Sequence, residues 1–379
     1  MKKSIRTILA SSLVVIASVT LFSCSNSNAD NSSASANVSS THRYGLNPME
    51  PSDWAFVPSY HTNVAARVGA TSEVLPSSCL LSNPGVRDQG QIGSCTGFCG
   101  TETNEILKYY AANAVAPTTG ITTSTGASSA ASHKFTPAAT LSPLFLYYVE
   151  RCVINKQSIS TDQGANMVNI CQAFQGLSKN TSGGTALTLG GKTFKGECTE
   201  ALYAYPSTGS NTSTQFLTAP STTAITNALS YTIGTQTGLT TSSNTTSNST
   251  TSGYFVISST GSTLLADVKD AIYNKKPVMM GFNVYDNSSY SYFESLSSTK
   301  YTYNPLTTAG KLASGARLLG GHAVPIIGYI DDASQPGGGV VIVQNSWGTS
   351  WGNGGYFYMP YSVLTSTTIV PSGNLYVAL

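Results

Sequence analysis

Asp88-Gln89-Gly90-Gln91-Ile92-Gly93-Ser94-Cys95-Thr96-Gly97-Phe98 is the stretch from which the rest of the chain is read. Behind it, Phe98, Ile106, Leu107 and Tyr110 give a rough apolar face, which predicts a helix over Cys95 to Ala112. Cys95 then stands at a helix N-terminus, where the backbone dipole favours the thiolate over the thiol. A thiolate is a good nucleophile at neutral pH; a thiol is not.

Two downstream stretches supply what a nucleophilic thiol needs. Gly320-Gly321-His322-Ala323-Val324 opens a strand-like run, and Gln344-Asn345-Ser346-Trp347-Gly348 follows another. His322 can pair with the thiolate and protonate a leaving amine. An imidazole needs a partner on its other nitrogen, and the amide oxygen of Asn345 can be that acceptor, shielded by Trp347. A tetrahedral intermediate needs donors for its oxyanion; Gln89 and the backbone N–H of Cys95 are the candidates. A lone cysteine before a helix is more often a buried apolar residue than a nucleophile. The three stretches together, in this order, reverse that reading.

These motifs resemble the papain family of cysteine peptidases. The first resembles the family's Gln-Gly-x-x-x-Ser-Cys segment, GGHAVPIIGY its histidine strand, and QNSWGTSWGNGGYFYM its asparagine segment. The resemblance implies Cys95 as nucleophile, His322 as acid–base, Asn345 as orienting amide and Gln89 as oxyanion donor. It also implies Trp347 packed over Asn345 with Trp351 nearby, and Gly164 of Asp162-Gln163-Gly164-Ala165-Asn166 on the substrate wall. The fold implied is an α+β, papain-like two-lobed fold. A helical left lobe and a β-barrel-like right lobe would enclose the active-site cleft. The likeness covers roughly 73 to 379, interrupted by polar tracts near 115–140 and 206–253. Two departures stand out. Ile92 occupies a position where many members have a disulfide cysteine, and Thr96-Gly97 replaces a Trp-Ala pair.

The chain has 379 residues, net charge +2, 9% charged residues and 35 glycines. No dense Lys/Arg stripe is present, which argues against a nucleic-acid partner. Met1 to Arg6 is basic, and Ile8 to Phe22 is an uncharged apolar run. Together they read as an export signal over 1–23. Leu21-Phe22-Ser23-Cys24 resembles a bacterial lipobox, with Cys24 as the lipidated mature N-terminus and ordinary secretion as the alternative. Ser25 to Ser40 is a flexible tether by composition. Residues 41 to 72 read as a strap along the lobes, with no large autoinhibitory domain and control left to export or redox state. The expectation is a monomeric exported peptidase acting on proteins or peptides, touching membrane only through an N-terminal lipid.

Seven cysteines are present. An exported chain can form disulfides, and Cys152–Cys198 is the expected pair, with Cys171 able to replace either. Cys99 and Cys171 read as small buried hydrophobes. No metal-ligand spacing is evident and no cofactor is expected. His42, His61 and His133 read as surface or loop residues, and Gly337-Gly338-Gly339 as a turn between strands. Further helices are predicted over Leu141–Cys152, Gln163–Phe174 and Thr263–Asn274. Strands are predicted over Pro277–Tyr285, His322–Ile330, Gly339–Gln344 and Gly355–Met359. A binding protein that keeps the fold, and a different thiol acyl transfer, are the rival functions.

Overall fold

The computed structural model describes residues 42–61, 74–178, 185–233, 253–287 and 293–378. The expected export signal (1–23), Cys24 and the expected tether lie outside the described residues, as do Tyr290, Tyr292 and residues 234–252 of the second polar tract.

The strap carries a four-residue helix, α1 (Pro51–Trp54), closed by a capping box between Glu50 and Asp53. Beyond it, Tyr60 is fully buried and its N–H donates to Val256 O. The strap is therefore stitched into the fold at its far end. After β1 (Ser78–Leu80) comes α2 (Cys95–Ala112), with the bounds its spacing predicts.

The tract 115–140 is more than a surface insertion. It contains β2 (Thr118–Thr119), paired with β1, and α3 (Gly126–Ser132). Ala127 and Ala130 of α3 are buried. Small side chains permit this close approach: a Cβ on Gly126 would lie 2.6 Å from the Ile330 side chain. The Tyr358 hydroxyl fixes the segment by accepting from Ala127 N and donating to Thr123 O.

Ser142 accepts from Phe145 N and Pro143 opens α4 (Pro143–Tyr148), as that pairing predicts. The helix continues as a π-helical turn, Val149–Ile154. Next come α5 (Met167–Gln175), the small hairpin β3 (Thr188–Leu189) and β4 (Lys192–Thr193), and α6 (Thr222–Ala228). Between β4 and α6, Phe216 is fully buried under the Arg151 guanidinium, 3.9 Å from its ring centroid. The described part of the second polar tract thus contributes to a core that its composition hides.

The C-terminal half supplies β5 (Tyr254–Val256), α7 (Gly261–Tyr273), β6 (Val278–Asn287), β7 (Ala316–Asp331), β8 (Gly339–Gln344), β9 (Tyr356–Pro360), α8 (Tyr361–Leu364) and β10 (Leu375–Ala378). Eight strands form one antiparallel sheet, with path β2-β1-β7-β6-β10-β5 and β8 and β9 added on the other edge of β7. Strand β7 pairs with β6 through Ile326 and with β1 from Gly328 on. An irregularity at that change of partner turns the sheet.

Two hydrophobic cores result. One is built on the sheet and holds Phe282, Phe293, Trp347, Trp351 and Phe357. The other packs α4 and α5 around the first turns of α2 and holds Phe145, Tyr147, Ile170 and Phe216. Cys152 and Cys198 belong to the second, and the structure corrects their expected pairing: both are free thiols. Cys99 and Cys171 are buried among hydrophobes, as expected.

Candidate active site

Cys95 is the first residue of α2. The helix is not capped by its N-cap side chain, because Ser94 turns away to bond the Tyr205 hydroxyl at 2.6 Å. Tyr205 in turn donates to Gln89 O, so the turn ahead of the helix is held from behind. The backbone amides of Ala323, which follows His322 in β7, of Gly45 in the strap and of Thr96 come near the Cys95 thiol and favour its anion.

His322 lies opposite Phe282 in the β6–β7 ladder and is fully buried. Its Nε2 is 2.7 Å from Asn345 Oδ1. An amide oxygen can only accept, so that nitrogen carries the proton and the neutral ring leaves Nδ1 as a base. Nδ1 has no hydrogen-bond partner. Asn345 follows β8 directly, its own N–H bonded to Gly355 O, so two strands fix the pair. Trp347 lies 5.3 Å from the imidazole, and Phe282 and Phe293 approach it edge-on at 5.9 and 5.6 Å. The predicted shield is an aromatic cage. Trp351 braces it, with its indole N–H donating to Phe293 O.

Burial acts on both groups in the direction of neutrality. Loss of water pushes the Cys95 thiol up to about 12, against the Ala323 and Gly45 hydrogen bonds that favour its anion. It pushes His322 down to about 4, with the Asn345 hydrogen bond opposing and the His42 charge assisting. Burial in this arrangement thus opposes the thiolate–imidazolium pair.

The strap contributes to this burial, with Tyr44 edge-on to His322 at 6.1 Å. Residues 42–47 run along the groove between the two cores. Leu46 N donates to Gly321 O at 3.0 Å on the sheet side. On the helical side Ala165 N donates to Gly45 O, and Asn47 N donates to Ala165 O at 2.8 Å. Gln89, the predicted oxyanion donor, is fully buried and already engaged: its Nε2 donates to Arg43 O and to Ile92 O, each at 2.9 Å. His42 stacks on Trp347 at 4.8 Å and bonds Asp88 at 3.0 Å. Glycines make the fit possible. A Cβ on Gly45 would lie 1.9 Å from Gly93 O. Gly164, with φ +73°, would put one 2.1 Å from Gly45 O.

Cys95, His322, Asn345, Gln89, Gly164 and Trp347 therefore line one groove. His42, Arg43, Gly45 and Leu46 also meet this groove, which the sequence reading did not foresee; His42, read as a surface or loop residue, lies in the loop of the strap and is partly buried. Their short segment has neither helical nor strand periodicity. Its one usable signal is Gly45 between Tyr44 and Leu46, a place where a backbone can approach closely. The expected strap does run along the lobes, and its first residues pack into the groove against Ala165, Gly321 and Gly93.

Beside the thiol, Thr96 donates to Glu150 at 2.5 Å and Thr101 donates to Glu197 at 2.6 Å. Burial lifts Glu197 to about 8 against the hydrogen bonds from Thr101 and Asn104. No cluster of metal-ligating side chains occurs among the described residues.

Comparison with known proteins bears on half of this groove directly. Residues 195–370 match the papain family cysteine protease profile, a region that holds His322 and Asn345 but not Cys95. An uncharacterized peptidase C1-like protein of Acanthamoeba polyphaga mimivirus is 32% identical over 120 residues, 31% of this chain and 34% of that protein. A gut-specific cysteine proteinase of Caenorhabditis elegans is 36% identical over 92 residues, 24% of this chain and 22% of that one. The chain thus spans about a third or less of these curated relatives. Among solved structures, xylellain, a cysteine protease from Xylella fastidiosa, superposes with a TM-score of 0.57 at 21% identity. That likeness covers 89% of this chain and 96% of that one. It establishes the fold: α+β, two-lobed and papain-like.

Proposed function

We propose that the chain is a cysteine peptidase, with residues 42–47 holding it latent. The observation that carries the reading is the orientation of the His322 imidazole. Asn345 holds it through Nε2, Nδ1 is unpartnered, and the next residue of the strand, Ala323, comes near the Cys95 thiol.

Once the strap leaves, water returns and the ion pair of thiolate and imidazolium becomes favourable. His322 takes the thiol proton, and Sγ attacks the carbonyl carbon of a peptide bound along Gly164–Ala165 and Gly321. Gln89 Nε2, freed from Arg43 O, and the Cys95 N–H receive the oxyanion. The intermediate collapses to a thioester as His322 gives its proton to the departing amine. Water, deprotonated by His322, then releases the acid and restores the thiol. Internal cleavage of proteins is the proposed mode.

The leader belongs to the same proposal: a bacterial exported protein, anchored by lipid on Cys24, monomeric, with the groove outside the cytoplasm. A Cys24→Ala chain that stays membrane-bound would remove the anchor.

The catalytic reading is tested with the full chain carrying Gly45→Val, which cannot seat the strap. A thiol-alkylating epoxide should label Cys95 far faster than Cys99 or Cys171. Hydrolysis of an unfolded protein should vanish in the added Cys95→Ala background. Persisting hydrolysis, or labelling spread evenly over the three thiols, overturns it.

A further inference from the structure

We propose that Asp162 is a positioning residue for oxyanion binding, tying the turn that carries Gln89 and Cys95 to the wall that carries Gly164. The inference rests on the peptidase reading and adds to it a residue outside the Cys–His–Asn set.

Asp162 is nearly inaccessible, with a side chain 2% exposed. It gathers four donors from four separate segments. Gly93 N–H approaches both carboxylate oxygens, each at 3.2 Å. The Tyr147 hydroxyl donates at 2.5 Å from α4. Arg43 Nη1 donates from the strap at 3.2 Å, and Asn211 Nδ2 from the second polar tract at 3.3 Å. Tyr147 extends the tie, because its hydroxyl accepts from Gly164 N at 3.0 Å.

The turn has two ends, and each is held differently. At one end Gln89 N donates to Ser346 O and the Gln89 amide oxygen accepts from Ser346 Oγ at 2.7 Å, which fastens it to the sheet. At the other end the Gly93 N–H is held by Asp162 on the helical side, beside the Ser94–Tyr205 bond. Ile92, where the resembling family often has a bridging cysteine, is buried and carries no polar group. Gly93 is two residues from the Cys95 N–H and four from the Gln89 amide. A shift of that end alters the spacing of the two donors, and oxyanion stabilisation depends steeply on such spacing. A charged acceptor suits this place. Four donors converge on two oxygens, and an amide in the same volume would present N–H groups to at least one of them.

The test uses the full chain with Gly45→Val as parent. Asp162→Asn should lower kcat for an amide substrate by about 10- to 100-fold, below the about 10²- to 10³-fold typical for deleting an oxyanion donor outright. KM should change by less than about 3-fold. Labelling of Cys95 by iodoacetamide forms no oxyanion and should stay within about 3-fold. Tyr147→Phe, which keeps the Gly93 tie, should fall between parent and Asp162→Asn. Equal loss of labelling and hydrolysis indicates a collapsed site and overturns the proposal, as does an unchanged kcat. Hydrogen exchange over 88–95 reads the tie without catalysis: faster exchange in Asp162→Asn supports it and unchanged exchange overturns it. A parent with no hydrolysis but a sensitive 88–95 turn would instead overturn the peptidase reading.

Discussion

The imidazole side and the thiol side of the groove are built by different means. His322 and Asn345 ride on β7 and the end of β8, and are boxed by Phe282, Phe293, Trp347 and Trp351. That side is held by ladder hydrogen bonds and aromatic packing, with little charge. The thiol side is held by polar ties over long sequence separations: Asp162 to Gly93, Tyr205 to Ser94 and Gln89, Thr96 to Glu150. An aromatic box is made largely by neighbours in one strand system, so it survives as a short motif. Polar ties need partners spread over the chain, and each can be exchanged for another. The family profile covers the first side and, of the second, reaches Tyr205 but not Gly93, Cys95, Glu150 or Asp162, which is what this difference teaches.

The comparison can be broken most severely at His322. In the Gly45→Val parent, His322→Ala should lower kcat by about 10³- to 10⁴-fold, at the upper end of general acid–base catalysis. Steady-state hydrolysis measures it. Trp347→Ala opens the aromatic box and should cost about 3–5 kcal/mol in denaturant unfolding. Asp162→Asn should cost much less by the same measurement, because its tie is local.

Strap seating gives the next effect. Gly45→Val should raise the alkylation rate of Cys95 by at least about 100-fold at pH 7, since the substituent meets Gly93 O at an impossible distance. Acid should act in the same direction on the native chain. His322 has a folded pKa depressed to about 4, against about 6.5 when solvated. The closed state is fully favoured above the solvated value and loses that advantage as pH falls through the folded one. Asp88, held below its usual range by the His42 hydrogen bond, loses its contribution on acidification too. Labelling by a disulfide reagent that reacts in acid should therefore accelerate between about pH 6.5 and 4, and His322→Phe should flatten the profile. Arg43→Ala is the smallest expected effect. Its half-exposed pairing with Asp162 is worth under about 1 kcal/mol, so labelling should rise less than about 5-fold.

The C-terminal half was legible because β8 and β9 are apolar runs bounded by turn residues, and α7 shows a clear helical stripe. Helix α2 was located correctly, yet its setting was not. Thr101, Glu102, Thr103, Asn104 and Glu105 are all buried there. Periodicity assigns such residues to solvent; their partners Arg87, Glu197 and Leu141 are brought near only by the fold. Tyr358 anchoring α3 and Phe216 under Arg151 were illegible for the same reason, since Thr/Ser-rich composition says nothing about one distant aromatic partner. The Cys152–Cys198 pairing failed because cysteine counting carries no geometry. The strap was seen as a strap, but nothing in its local pattern told which surface it would cover.

Because Tyr60 is locked to β5 while Arg43 to Asn47 fill the groove, the plug and its site share one covalent frame. The plug's concentration at the site is then fixed by geometry, on the order of millimolar or above for a short link. Dilution cannot release it, and two copies cannot silence each other more effectively than one silences itself. Any peptide must outcompete a neighbour that never diffuses away, so the onset of activity should depend on substrate concentration and be independent of the amount of protein. Release would come from outside the mass-action balance, by cutting the chain between the plug and Tyr60 or by weakening its contacts.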